Sequence, residues 1–174
     1  GSVRAARNML GETFVVISGD ALTDIDLTKA REFHKTSGAD VTIVLKKVDM
    51  PVEYGIVLTS KDGRVERFLE KPAMGEVFSD LANTGIYIIE PDILDLIEPD
   101  KERDFSKHIF PMLLEKGKKL FGYEAHGYWC DIGDVAQYMQ ANRDALDGKC
   151  KLTIRAQEEG GIWVENGARV SSRS

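Results

Sequence analysis

Two short apolar runs in this chain each end on an aspartate beside a glycine, and that placement narrows the fold more than any other feature. Phe14-Val15-Val16-Ile17 leads into Ser18-Gly19-Asp20, and Gly127-Tyr128-Trp129-Cys130 leads into Asp131-Ile132-Gly133-Asp134. The first run reads as a buried strand. A carboxylate where a strand gives way to a loop sits where open α/β sheets bind ligands. Two such carboxylates, far apart in sequence, can meet over one magnesium ion. That ion takes one or two protein carboxylates and leaves its other positions to water and phosphate oxygens. Between them in sequence lies Glu70-Lys71-Pro72, an acid and a base at the end of another strand. The pattern points to phosphate chemistry on a small molecule.

The rest of the chain alternates between strand and helix patterns, as an α/β fold requires. Residues 3–10 have a helical spacing of Val3, Ala6 and Leu10, closed by Gly11. Asp26 predicts an N-cap for a helix from Leu27 to Lys35, with Gly38 closing it. Val41 to Val48 is strongly β. Gly55–Ser60 and Arg64–Glu70 read as a hairpin joined at Lys61-Asp62-Gly63, since Asp-Gly between two such runs is a strong turn signal. Asn83 to Ile89 is a further strand, and Pro91 opens a short helix through Ile97. Asp104 caps a helix to Lys116, with a kink or break expected at Pro111. Lys119–Ala125 and Tyr128–Ile132 are short strands. Asp134 caps a helix whose positions Val135, Tyr138, Met139, Ala145 and Leu146 form an apolar stripe broken only by Asn142. After Lys151 the character changes. Val164 and Val170 stand six residues apart around Gly167-Ala168, the aliphatic spacing of a parallel β-helix coil. The expected division is therefore a domain over residues 1–150 and a linker with a first coil over 151–174.

Composition removes several function classes. The charge is 23 − 29 = −6 with the two signs interspersed, which points away from nucleic acid and anionic membranes as partners. No run approaches the ~18 apolar residues of a membrane span. Cys130 and Cys150 have no metal-ligand spacing and make no disulfide framework, which suggests a reducing, cytoplasmic setting. His34, His108 and His126 are isolated. No Gly-rich phosphate loop, zinc motif or serine-nucleophile elbow is present.

Each candidate residue has a plain structural alternative. Asp20 and Asp131 read as magnesium ligands or as turn aspartates; Asp24 and Asp26 lie nearer the helix start, which frees Asp20 from capping. Glu70 and Lys71 read as a sugar-hydroxyl acceptor and a phosphate-binding charge, or as a solvated ion pair. Pro72 biases Lys71 to an extended backbone. Asn83 and Thr84 suit ordinary turn chemistry, while Gly85 inside a strand marks a bulge or a close approach to a ligand. Tyr54-Gly55 carries the same two readings. Trp129 reads as a packing residue ahead of a substrate platform.

Taken in order, six motifs are far more specific. Ile-Ser-Gly-Asp-Ala-Leu-Thr-Asp-Ile-Asp-Leu (17–27), Tyr-Gly-Ile-Val (54–57), Arg-Phe-Leu-Glu-Lys-Pro (67–72), Asn-Thr-Gly-Ile-Tyr (83–87), Asp-Phe-Ser-Lys (104–107) and Gly-Tyr-Trp-Cys-Asp-Ile-Gly (127–133) resemble the sugar-1-phosphate nucleotidyltransferases. Within that group the chain looks most like bacterial mannose-1-phosphate guanylyltransferases. The resemblance implies the C-terminal part of a Rossmann-like mixed-sheet domain, followed by the start of a left-handed β-helix. It implies that a nucleoside triphosphate and a sugar 1-phosphate give a nucleotide-sugar, GDP-mannose being favoured, and pyrophosphate. By the same resemblance Asp20 and Asp131 hold Mg2+, Lys71 holds the sugar phosphate, and Glu70, Asn83, Gly85, Gly55 and Tyr54 form the sugar pocket. A homo-oligomer is compatible with this reading.

The family's Gly-rich triphosphate loop and its base-binding segment have no counterpart in this sequence. The expectation is a chain lacking its N-terminal nucleotide-binding segment and inactive alone, with an exposed apolar edge on its first strand. The alternative is a module that binds sugar phosphates or a partner chain without catalysis.

Overall fold

The computed structural model describes residues 2–99 and 101–171. In chain order the first elements are α1 (Ser2–Ala5), β1 (Phe14–Ile17), β2 (Ala21–Thr23), α2 (Leu27–Ser37) and β3 (Val41–Lys47). The hairpin strands β4 (Gly55–Thr59) and β5 (Val65–Glu70) follow, then β6 (Leu81–Ile89), α3 (Phe110–Glu115), β7 (Leu120–Glu124), β8 (Trp129–Asp131) and α4 (Val135–Leu146). The tail carries β9 (Ala156–Glu159) and β10 (Ile162–Glu165).

The main sheet runs β5-β4-β6-β3-β7, with β1 also on β6. Val41–Leu45 of β3 are all buried, which a near-continuous Val-Thr-Ile-Val-Leu run needs when both sheet faces are covered. On one face Ile43, Leu45, Tyr87 and Ile89 pack under Ile93, Leu94, Phe110 and Leu113. On the other, Val44, Ile86 and Ile88 pack against Ala30 of α2 and Ala125.

The division of one edge of β6 positions the site. β3 occupies the other edge, pairing with both Ile89 and Ala82. On the free side β1 pairs with Ile86–Ile89, while β4 meets the same strand at Ala82. The two strands therefore part over Asn83–Gly85. There β6 is irregular: Ile43 faces Tyr87 and Leu45 faces Asn83, so Thr84–Ile86 lie opposite Val44 alone. Gly85 takes φ 75 at this bulge, the irregularity its place inside a strand led one to expect.

Helix α2 begins and ends as its sequence predicts, with the Asp26 carboxylate accepting from the Thr28 and Lys29 N–H groups and Gly38 left-handed at φ 61. His34 on its inner face is buried and bonded to Thr42 and Glu90 at 2.8 and 3.0 Å, a structural tie between α2 and the sheet. Other elements depart from expectation. The first helix is a single turn continued by a 3-10 turn over Arg7–Met9. The segment capped by Asp104 opens as a wide π-turn over Phe105–Ile109 before α3. Pro111 has no N–H to close a regular turn there, and the widened turn absorbs the defect.

The apolar stripe of α4 does not face the core. Val135, Tyr138 and Met139 are more than half exposed, and the buried positions are Ala141 and Asp144. The helix is oriented by polar bonds instead: Asp144 accepts from Tyr128 Oη at 2.9 Å and from Lys149 Nζ at 2.6 Å. The β-helix coil is not confirmed either. Residues 156–165 form an antiparallel hairpin whose turn, Gly160-Gly161, has φ 61 and 86, as a tight two-residue hairpin turn requires. The apolar edge expected on the first strand is present, with Val15 and Ile17 42% and 49% exposed. Among the described residues no helix is long and apolar enough to cross a membrane.

Candidate active site

Where β1 and β4 part, a pocket of about 250 Å³ opens over the β6 bulge. Strand ends feed it from every side. Ser18 and Asp20 follow β1; Tyr54 and Gly55 start β4; Glu70 and Lys71 end β5; Asn83, Thr84 and Gly85 form its floor; Trp129 and Asp131 come from β8. Every residue singled out as a site candidate from the sequence lines this one pocket. Ser18, Glu53 and Ser106 line it too and were not singled out, and so does Thr84, which was read as turn chemistry. Ser18, Thr84 and Ser106 each stand in one of the quoted motifs, and the π-turn is what brings Ser106 in.

The two aspartates are brought together by a separate two-stranded ladder. β2 pairs antiparallel with β8, setting Ala21 opposite Asp131, and the Ile132 N–H donates to the Asp20 carbonyl at 2.9 Å. Burial raises the Asp131 carboxyl above its ordinary range, the charge of Asp20 adds to this, and Lys71 opposes it. Asp20 also accepts a short hydrogen bond from the Ser18 hydroxyl.

The opposite wall is polar. Asn83 Nδ2 donates to Tyr87 Oη and Ser106 Oγ, both at 3.1 Å, while its Oδ1 accepts from the Gly85 N–H. Burial raises Glu70, with Asp104 adding to the effect and Lys107, Lys71 and Ser106 opposing it. Trp129 both packs and lines: its indole N–H donates to the Thr84 carbonyl at 3.1 Å, and its ring meets Tyr54 edge-on at 5.2 Å.

The Lys71 backbone departs from the extended form that Pro72 predicts. Its N–H extends the hairpin ladder to the Tyr54 carbonyl at 3.1 Å, and the chain then reverses with Lys71 at φ 45. Pro72 is itself buried and disfavours the right-handed helical well, which leaves the left-handed well for a tight reversal. A non-glycine residue held there stores about 1–3 kcal/mol, which the surrounding bonds must offset. Among the described residues lining the pocket, Lys71 is the only cation.

Two glycines are needed for space. A Cβ on Gly85 would stand 3.0 Å from the Ser18 Cβ, and one on Gly55 would stand 2.6 Å from Glu70 Oε2 and 2.9 Å from the Phe68 ring. Gly55→Ala is expected to push Glu70 out of its place and to destabilise the fold by about 1–3 kcal/mol, as overpacking does. Urea unfolding measures the second effect; a wild-type midpoint would show that the wall yields.

The profile of the Nucleotidyl transferase family matches residues 1–148. A UTP--glucose-1-phosphate uridylyltransferase of Synechocystis sp. is 42% identical over 142 residues, covering 80% of this chain and 37% of the relative. A mannose-1-phosphate guanylyltransferase of Mycobacterium tuberculosis is 32% identical over 172 residues, covering 98% of this chain and 47% of the relative. The chain thus spans less than half the length of either. The fold superposes on a UDP-glucose pyrophosphorylase of Acinetobacter baumannii with a TM-score of 0.71 and 25% identity, over 84% of this chain and 54% of the other. With its profile match running nearly the whole length of the sheet and α4, the chain belongs to the nucleotidyl transferase family.

Proposed function

We propose that this chain supplies the sugar-phosphate side of a sugar-1-phosphate nucleotidyltransferase site. The observation that carries the reading is the convergence of two carboxylates, one lysine and a polar wall on a single pocket. In the proposed reaction an oxygen of the sugar 1-phosphate attacks the α-phosphorus of a nucleoside triphosphate. The new O–P bond forms as the bond to the β-phosphate oxygen breaks, and pyrophosphate leaves. Such a transfer depends on positioning and charge neutralisation. Lys71 places its ammonium on the sugar phosphate as a point charge. Glu70 and Asn83 accept from and donate to sugar hydroxyls, and Gly85 and Gly55 let the sugar approach the backbone. Tyr54 and Trp129 wall the pocket.

Mg2+ suits the donor set. Asp20, just ahead of β2, and Asp131, at the end of β8, offer hard oxygen donors, and Asp131 is raised first by burial and then by the charge of Asp20. Among the described residues no third His, Cys, Asp or Glu joins them as a ligand group, which matches an ion that keeps water and phosphate oxygens for its other positions. When bound, the ion neutralises phosphate charge.

GDP-mannose is the favoured product, since the mannose-1-phosphate guanylyltransferase relative aligns over 98% of the chain. UDP-glucose is the second reading, carried by the higher identity to the uridylyltransferase. The test is pyrophosphate release by the protein at its full natural length, with GTP or UTP against mannose 1-phosphate or glucose 1-phosphate. GTP with mannose 1-phosphate is expected to give the highest kcat/KM. A higher value for UTP with glucose 1-phosphate replaces the product assignment. No release with any pair, together with retained sugar-phosphate binding, makes the chain a non-catalytic binding module.

A further inference from the structure

Asp24 stands outside the pocket and bonds to neither substrate-lining wall, yet both its oxygens are engaged. Oδ1 accepts from the Tyr128 N–H at 2.6 Å, and Oδ2 accepts from the Lys151 N–H at 2.8 Å. Its own N–H donates to the Tyr128 carbonyl at 3.1 Å, where the Thr23 hydroxyl also donates at 2.8 Å. One side chain thus joins the end of β2, the start of β8 and the segment after α4. Close approach is secured by Gly127, at φ 113, where a Cβ would stand 2.5 Å from Asp24 Oδ1.

The ladder being clamped is short. β2 and β8 pair over three residues each, Ala21–Thr23 against Trp129–Asp131, and an isolated two-stranded pair of that length is marginal in water. Side chains alternate across a strand, so Trp129 and Asp131 share a face and Cys130 takes the other. A one-residue slip would turn Asp131 and Trp129 out of the pocket together. We propose that Asp24 is the positioning residue that prevents this: it pins β8 and the segment after α4 to β2, so that Asp131 comes to rest beside Asp20. The proposal rests on the reading of Asp20 and Asp131 as a cation-binding pair. It calls for a carboxylate at position 24, because two N–H donors arrive, one on each oxygen. Asparagine offers one acceptor oxygen and would set its NH2 against the second N–H.

The test uses this chain with Mn2+ as the probe ion, followed by electron paramagnetic resonance of the free ion. NMR hydrogen exchange of the Trp129 indole N–H reports the register of β8, and the Ile88 amide in the core reports the fold. Asp24→Ala is expected to weaken Mn2+ binding and to speed Trp129 exchange by about tenfold or more, the range seen when groups that orient metal ligands are removed. Ile88 exchange stays unchanged. Asp131→Asn is expected to lose Mn2+ binding with Trp129 exchange unaltered. Wild-type Mn2+ affinity and wild-type Trp129 exchange in Asp24→Ala overturn the proposal. Unchanged Mn2+ affinity in Asp131→Asn overturns the cation reading instead, and Trp129 exchange then decides the role of Asp24 by itself. Should Ile88 exchange also rise in Asp24→Ala, Asp24→Asn decides. Faster Trp129 exchange with Ile88 protected supports the clamp, and wild-type exchange refutes it.

Discussion

Asp131→Asn is expected to lower kcat of the full-length protein by about 10²–10³, the cost of losing an electrostatic stabiliser of the transition state, here the cation that Asp131 is proposed to hold, and to do so without loss of stability. The two effects have one origin. Asp131 is partly buried beside Asp20, and both burial and that neighbouring charge raise its pKa in the folded chain. The unfolded chain releases this proton at about pH 3.9, while the folded chain holds it to higher pH. Across that interval the folded state binds more protons than the unfolded state, so stability falls as pH rises through it. At neutral pH the ionised carboxylate is a liability to the fold. Asparagine keeps the shape and removes the charge, so the variant should melt at or above the wild-type temperature. A steady-state assay with magnesium raised to saturation, run beside thermal unfolding at pH 7, measures both. Wild-type turnover at saturating magnesium would remove Asp131 from the cation site; lost turnover with a lowered melting temperature would make its role one of folding.

That opposition bears on why residues that converge on the candidate pocket stood out in the sequence when parts of the fold did not. Glu70 and Asp131 carry charge where burial disfavours it, and such a placement has few structural reasons. Asp20 and Asp131 each stood at the end of a short apolar run and Glu70-Lys71 at the end of a further strand, and strand ends on one side of a sheet converge whatever the sequence distance between them. The strands themselves were readable for the same reason: Val41–Leu45 and the Asp62-Gly63 turn leave little freedom. Helix α4 shows the limit. Its apolar periodicity predicts a helix and gets one, but periodicity does not say which face meets the protein. The Tyr128–Asp144–Lys149 bonds hold the other face inward, and no local pattern announces a buried carboxylate with three partners. The tail is a different case. Six-residue spacing is a property of stacked coils, and one interval from Val164 to Val170 leaves such a coil unconfirmed, while Gly160-Gly161 offers the two-residue turn on which residues 156–165 pair as a hairpin. Ser106 stood in a quoted motif, but its entry into the pocket depends on a π-turn, a departure from regular helix that Pro111 favours without specifying.

Lys71→Ala is expected to raise KM for the sugar 1-phosphate by about 10–100-fold, the equivalent of the ~1.5–3 kcal/mol carried by a hydrogen bond to a charged group, while KM for the nucleoside triphosphate changes little. Among the described residues lining the pocket it is the only cation, although Lys107 lies close enough to act on Glu70. Its position is also fixed by the backbone rather than by side-chain packing. The Tyr54 carbonyl holds the Lys71 N–H, buried Pro72 follows, and the residue between them takes φ 45, so the stem leaves the chain in one direction. Preorganisation of this kind lowers the ordering cost of binding, and it separates charge from placement experimentally. Lys71→Arg keeps the charge on the same strained stem and should recover part of the loss. Lys71→Gly removes the charge and also relieves the left-handed strain, so it should bind the sugar phosphate as poorly as the alanine variant while unfolding at a higher urea concentration. Equal rises in KM for both substrates in Lys71→Ala would take the sugar phosphate away from this lysine. An alanine variant as stable as the glycine variant would show that the turn at Lys71 stores no strain.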